Sequence, residues 1–456
     1  MSLAESVAAR LRSPEFDSWM AGAARTGYCS NPVRLSGSSS TLHPGTGEVL
    51  SEFSSTSQPD GLTYTRCGNR RSRRCESCSH EYKGDTWHMI MAGAAGGMKG
   101  VPERIAEHPM VFVTLTAPSF GTVHSTSRSR IHGTCEHGRP RGCRCGHEPG
   151  DLLLGDPMCD DCYDYEAHIV WQYFAPELWR RFTIQLRRSL AHELGLTQRA
   201  AAEIVRVQFA KVAEFQRRGA VHFHAIIRLD GVSLDEEFPA APREVTEVHL
   251  SAAIRSAVRL VAYAAPPLTS GAEPRTLRWG AQIDVQPIVR RDGLDGTLSD
   301  RAVAAYIAKY ATKATEDLDG GVGARMHIRR LKEISTRMGE TGDADGPYAL
   351  LPKWAHMLGF RGHFSSKSRR YSVTLGSLRG ARQRWRLDRI VERAQSDGHD
   401  VEEVLVIGSW SFAGMGWRSD GDRSLATEAA RAAREWRDGR RVRFEDEKGE
   451  KDAQRN

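Results

Sequence analysis

No run of 18 or more apolar residues occurs in this 456-residue sequence, so nothing in it reads as a membrane-spanning helix. The opening stretch, MSLAESVAARLRSPEF, lacks the apolar core and small-residue cleavage site of a secretory signal. It reads instead as a short amphipathic helix, and the expected compartment is the cytoplasm. No GxxxxGK(S/T) phosphate loop is present, which excludes a P-loop nucleotide motor. Internal repeats and long low-complexity tracts are missing too, which excludes a solenoid or a largely disordered chain. Acidic residues are scarce in one place. Between Arg361 and Arg389, Asp388 is the one acid among nine Lys and Arg residues, and Phe364, Tyr371 and Trp385 are interleaved with them.

Hydrophobic residues at 40% and charged residues at 27% describe an ordinary globular protein, long enough for two or three domains. The net charge of +7 suits a polyanionic partner. In the 361–389 stretch, cations that neutralise phosphates alternate with rings that can stack on bases. Lys367, Arg369 and Arg370 are the residues expected to contact DNA there. The competing reading is a solvated basic face over ordinary core aromatics.

Residues 108–116 (HPMVFVTLT) form a β-branched apolar run bounded by prolines and read as a buried strand. Residues 175–198 and 246–263 are helical by period. Between them, VRVQFAKVAEFQ and VHFHAIIRL flank Arg217–Gly219 as the strands of a β-hairpin. AQIDVQPIV (281–289) is a further strand, followed by a helix from about Asp300 to Glu316. This order predicts an α+β domain with an antiparallel sheet.

His222-Phe223-His224 lies in the second hairpin strand. Side chains alternate across a strand, so both imidazoles emerge on one face and suit a divalent cation. A three-residue loop at 217–219 puts Glu214 opposite His222 as a carboxylate ligand; a two-residue loop turns it to the wrong face. The second element is Tyr306-Ile-Ala-Lys309-Tyr310-Ala-Thr-Lys313. On a helix, Tyr306, Lys309, Tyr310 and Lys313 share an arc about 100° wide, beside an apolar arc of Val303, Ile307, Ala311 and Ala314. A phenol with an unperturbed pKa near 10 becomes a nucleophile only with help, which a metal on the phosphate and a nearby Lys supply.

The cysteines fall in groups. In a chain expected in the cytoplasm, metal ligation is favoured over disulfides. Cys75-x2-Cys78 is half of a tetrahedral zinc site, with Cys67 and Cys29 the completing ligands. Cys159-x2-Cys162 is half of another, preceded by Cys135 and Cys143, with Cys145, His137 and His147 as competing ligands. Two structural zinc ions, stapling loop-rich segments that lack a core, are expected. Arg70, Arg71, Arg73 and Arg74 sit inside the first loop, where direct DNA contact is open to them.

The ordered set Phe112-Val-Thr-Leu-Thr116, His222-Phe-His224 and Tyr306-x-x-Lys309-Tyr310-x-x-Lys313 resembles the three motifs of HUH-superfamily rolling-circle replication initiators. The wider chain is similar to the actinobacterial plasmid initiators through CGNRRSRRCESCSHEYKGDTW, CDDCYDYEAHIVWQYFAPELW, FQRRGAVHFHAII, RWGAQIDVQPI and LGFRGHFSSKSRRYS, covering most of residues 27–375. The resemblance implies an HUH-endonuclease antiparallel sheet carrying the histidines, with packed helices and zinc-stapled segments around it. On this basis residues 1–100 are expected to be an N-terminal zinc-binding region, and 101–125 with 170–320 the nuclease domain. Residues 126–169 would be an inserted zinc-binding segment and 321–456 a basic DNA-binding region.

The implied reaction is attack by Tyr310 on one strand of origin DNA, leaving a 5′-phosphotyrosine and a free 3′-hydroxyl, with Mg²⁺ or Mn²⁺ as Lewis acid. Tyr306 matches a position where some plasmid initiators carry a glutamate and single-stranded phage initiators a second tyrosine. The phage-like arrangement lets two phenols alternate, one closing what the other opened. Duplex and single-stranded origin DNA, a separate helicase and a DNA polymerase are the implied partners. A two-tyrosine HUH rolling-circle transposase is the alternative with the same chemistry. A conjugative relaxase fits less well, because its tyrosines usually precede the histidines. A non-enzymatic zinc-containing DNA-binding regulator accounts for the cysteines and the basic stretch but leaves the other motifs unexplained.

Overall fold

The computed structural model describes residues 1–268, 271, 273–288, 325–341 and 345–453. Tyr306, Lys309, Tyr310 and Lys313 lie outside the described residues, as does the whole expected tyrosine helix.

In chain order, α1 (Leu3–Leu11) and α2 (Phe16–Arg25) precede β1 (Val33–Leu42), β2 (Val49–Ser54) and β3 (Thr63–Thr65). Next come α3 (Glu76–Ala95), β4 (Met110–Leu115), α4 (Tyr165–Glu193) and α5 (Gln198–Ile204). The hairpin follows as β5 (Arg206–Phe215) and β6 (Val221–Asp230), then α6 (Glu247–Leu260), β7 (Tyr263–Ala265), β8 (Arg275–Leu277) and β9 (Ile283–Pro287). Past the undescribed segment lie α7 (Met326–Glu340), α8 (Leu351–Trp354), β10 (Ser365–Lys367), α9 (Leu375–Ser396), β11 (Leu405–Met415) and α10 (Asp420–Ala453). The chain divides into two compact units. One combines Met1–Asp85 with Leu375–Asn456, and the other is Thr86–Thr374.

In the first unit, β1 runs antiparallel to β11 from Val33↔Met415 to Leu42↔Leu405, with β2 and β3 also paired to β1. Trp19, Ala23, Trp417 and Ala426 form a small core, with the two indoles 5.2 Å apart and Tyr64 4.6 Å from Trp417. So small a core stabilises little by burial, which is where a metal staple matters most. Ser2 caps α1 by accepting from the Glu5 amide while Glu5 accepts from the Ser2 amide, closing a capping box.

The second unit is built on a five-stranded sheet, order β10-β5-β6-β4-β9, every pair antiparallel. The expected strands, hairpin and antiparallel sheet are all present. The expected helix at 175–198 begins ten residues earlier, at Tyr165, and continues through Pro176. Alternation sorts the sheet into two faces. Val111, Val113, Leu115, Ala213, Phe215, Phe223, Ala225, Ile227 and Leu229 point to one side and pack against the apolar sides of α4 and α6. Gln172 on α4, fully buried, donates to the Gly219 carbonyl at 2.9 Å and accepts from the Val221 amide at 2.7 Å. A polar side chain so placed must be paired, and here the pairing ties the helix to the hairpin turn.

One end of the opposite face is covered. There Arg228 is fully buried: it forks onto Asp230 at 2.6 and 2.8 Å, donates to the Gly93 carbonyl, and lies 5.1 Å from the Tyr371 ring. Gly93 admits this packing because a Cβ would fall 2.2 Å from the Tyr371 ring. At the other end of the same face stand Glu214 and His222, half-buried, with His224 beside them.

Candidate metal centre and nucleic-acid interface

The hairpin loop holds Arg217–Gly219, closed by the Gln216 amide donating to the Ala220 carbonyl and the Gln216 carbonyl accepting from the Gly219 amide. Gly219 takes φ +81°, the left-handed conformation that a three-residue hairpin asks of its last residue. Glu214 consequently pairs with His222 in register. Glu214 Oε2 lies 3.0 Å from His222 Nε2 and 3.1 Å from His224 Nε2. Donors about 2.1 Å from an octahedral centre stand roughly 3.0 Å apart along an edge, so two imidazoles and one carboxylate fit a hard divalent cation. Burial by itself would raise the Glu214 carboxyl, but hydrogen bonds from His222 and His224 outweigh it and hold the group below its usual range. Burial also lowers His224, only partly offset by Glu214, which keeps that imidazole neutral and able to ligate.

Two neighbours of His224 come from the next strand. Thr114 on β4, paired in register with His224, puts its hydroxyl 3.0 Å from Nδ1, and Phe112 stacks on the ring at 5.6 Å and 11°. With Nδ1 bonded to Thr114, Nε2 is the nitrogen left for a metal. Phe112 and Thr114 stand in the first sequence motif, but nothing short of the strand register shows which histidine they serve.

The first cysteine set assembles as expected. Cys29 follows α2, Cys67 follows β3, and Cys75 and Cys78 stand at the head of α3. Cys75 and Cys78 sulfurs lie 3.5 and 3.7 Å from the Cys29 sulfur, near the 3.7–3.8 Å edge of a tetrahedron with Zn–S of about 2.3 Å. Backbone amides of Cys67, Asn69 and Cys78 donate to sulfurs of the set. The second set needs a correction. Cys135, Cys159 and Cys162 are joined by His137, not Cys143. A tight turn, with Cys135 accepting from Gly138 and donating to Arg139, swings His137 back until Nδ1 is 3.3 Å from the Cys162 sulfur. Cys143 lies instead with His124 and His147.

The basic stretch is more divided than its composition suggests. Phe364 and Tyr371 are core residues at 1% and 0% exposure, so they cannot stack on bases; Trp385 is exposed. Arg361 lies 4.2 Å from the Tyr173 ring. Lys367 donates to the carbonyls of Ser368, Arg369 and Ser372, and burial lowers its ammonium to about 8. Arg369 and Arg370 are exposed and, with Arg187 and Arg206, line a cleft of about 520 Å³ in the second unit. In the first unit, Arg382 is paired with Asp85 at 2.6 Å and Glu81 at 3.3 Å. Beside it Arg25, Arg66, Arg379 and Arg386 line a cleft of about 620 Å³ next to Cys78.

A family model described as the replication initiator protein of pSAM2, RepSA, matches residues 15–431. A curated "Replication initiator protein" from Streptomyces ambofaciens is 42% identical over 437 residues, spanning 92% of this chain and 91% of that protein. No solved structure matches. Among the described residues no helix is long and apolar enough to cross a membrane.

Proposed function

The chain belongs to the RepSA family of replication initiator proteins, and we propose that it starts rolling-circle replication by cutting one strand of a plasmid origin with a tyrosine. The observation that carries this reading is the convergence of Glu214, His222 and His224 on one point of the five-stranded sheet. Mg²⁺ or Mn²⁺ held there would supply Lewis acidity to a phosphate oxygen. Tyr310 Oη forms the new bond to phosphorus as the P–O3′ bond breaks. The phenol proton is lost to solvent, and the departing oxygen takes one up to become the 3′-hydroxyl that primes a polymerase. Lys309 and Lys313 contribute positive charge beside the phenol, easing its ionisation. Tyr306, four residues earlier in the sequence, closes the strand when the round ends.

These four residues enter from the sequence motif, and the sheet supports the role by offering them a metal-ready face. The exposed Arg369 and Arg370, with Arg187 and Arg206, give the DNA backbone a sequence-independent hold. Structural zinc at the two cysteine-rich sets would fix the surrounding loops. A separate helicase must open the duplex, and the cytoplasm is the expected compartment.

The test is incubation of the protein and Mn²⁺ with supercoiled DNA carrying the replicon's origin. The expected products are a nicked circle and a covalent protein–DNA adduct, both absent with His222→Ala. Protein that binds the origin in the presence of metal yet forms neither product would be a DNA-binding regulator instead.

A further inference from the structure

We propose that His124, Cys143 and His147 form a third transition-metal site, independent of the candidate nuclease centre and of the two cysteine-rich sets. Their donor atoms lie within 4.8 Å of one another. His124 Nδ1 is 2.9 Å from His147 Nε2 and 3.8 Å from the Cys143 sulfur. These distances bracket the roughly 3.3–3.6 Å edges of a tetrahedron built with Zn–N of about 2.0–2.1 Å and Zn–S of about 2.3 Å.

One further observation points to a metal rather than to a chance cluster. The far nitrogen of His147, Nδ1, is held by the Asp151 carboxylate at 2.6 Å. That carboxylate–imidazole arrangement fixes the tautomer so that Nε2 presents a lone pair, as in most metal-bound histidines. A thiolate with two imidazoles is a borderline-soft donor set, which selects Zn²⁺ over Mg²⁺ or Mn²⁺.

The location gives the site a purpose. His124 bonds through its backbone to Gly155 and Asp156, and the His147 amide to the Ser125 carbonyl. Gly155 lies against the hairpin loop so closely that a Cβ would fall 2.5 Å from the Arg217 carbonyl carbon, and Arg217 donates to the Asp151 carbonyl at 3.2 Å. A metal at these three residues therefore braces the 143–156 segment against the turn that sets Glu214 opposite His222.

Elemental analysis of full-length protein purified without chelator tests this, done in the His222→Ala background so that the nuclease centre contributes no zinc. The expected content is three zinc ions per chain, falling to two in His147→Ala and returning to three in His147→Cys, which restores a ligand. Two zinc ions in all three proteins would mean a hydrogen-bonded His–His–Cys cluster only and would overturn the proposal. Chelator competition decides the matter should His147→Ala fail to fold. Asp151→Asn should weaken one of three zinc ions by about 10–100-fold and leave two unmoved; an unchanged profile would sink the assignment.

Discussion

Glu214 and His222 face each other across the hairpin with Oε2 and Nε2 3.0 Å apart. A strand has period two, so this pairing depends on the number of residues in the turn as much as on the two residues themselves. Removing one residue from Arg217–Gly219 would send Glu214 to the face occupied by α4 and α6.

That dependence makes Gly219 testable. A side chain at φ +81° costs about 1–2 kcal/mol, and its Cβ would stand 2.9–3.1 Å from the methyls of Leu358, Leu331 and Ile328. Gly219→Ala should therefore lower unfolding free energy by at least that amount in denaturant titration, with a parallel loss of nicking. Unchanged stability would mean that the turn relaxes freely and does not set the register.

Metal dependence should separate ligands from their supports. His222→Ala, His224→Ala and Glu214→Ala are each expected to abolish nicking while origin binding persists, since phosphate contacts elsewhere supply the affinity. Thr114→Val keeps every ligand and removes only the hydroxyl on His224 Nδ1. It should raise the Mn²⁺ concentration for half-maximal nicking about 10–100-fold and leave the saturated rate nearly intact. Equal Mn²⁺ dependence in wild type and Thr114→Val would show that the hydroxyl does not orient the ring.

The basic residues should divide in the same way. Arg369→Gln and Arg370→Gln should each reduce the salt slope of DNA binding by about one. Lys367→Gln should leave the slope unchanged and cost stability, because three backbone carbonyls lose their donor. A flattened slope with Lys367→Gln and none with the arginines would reverse this division.

The tyrosines have separate expected phenotypes. Tyr310→Phe should form no covalent adduct on origin DNA. Tyr306→Phe should form the adduct yet fail to release closed single-stranded circles. Normal circle release by Tyr306→Phe would leave one nucleophile to do both steps, and an adduct on Tyr306 alone would exchange the two roles.

The face that carries Glu214, His222 and His224 was largely legible in the sequence, because strand alternation and loop length are local rules. His222, His224 and Glu214 follow from them without any knowledge of the rest of the chain. The cysteine-rich insertion was less legible for the opposite reason. Spacing identifies donors, but only the folded loops decide which of them meet. A four-residue turn brings His137 to Cys162 and leaves Cys143 to His124 and His147. Phe364 and Tyr371 look like base-stacking rings when read beside arginines, and only the packing of 86–95 on the sheet puts Tyr371 in the core, its hydroxyl donating to the Ile90 carbonyl. The partnership of β1 with β11 had no local signature at all, being a pairing of segments more than 360 residues apart.

That last pairing has a consequence for synthesis. The ribosome releases Val33 long before Met415, its partner, exists. At about 5–20 residues per second the delay is roughly 20–80 s. For that time one edge of β1 carries unpaired amides and carbonyls, an open template for any stray strand. Messages cut short before residue 405 would leave the edge open permanently, even where the β5–β6 hairpin had already folded. Premature termination would thus yield chains marked for aggregation or proteolysis, rather than partial initiators that persist.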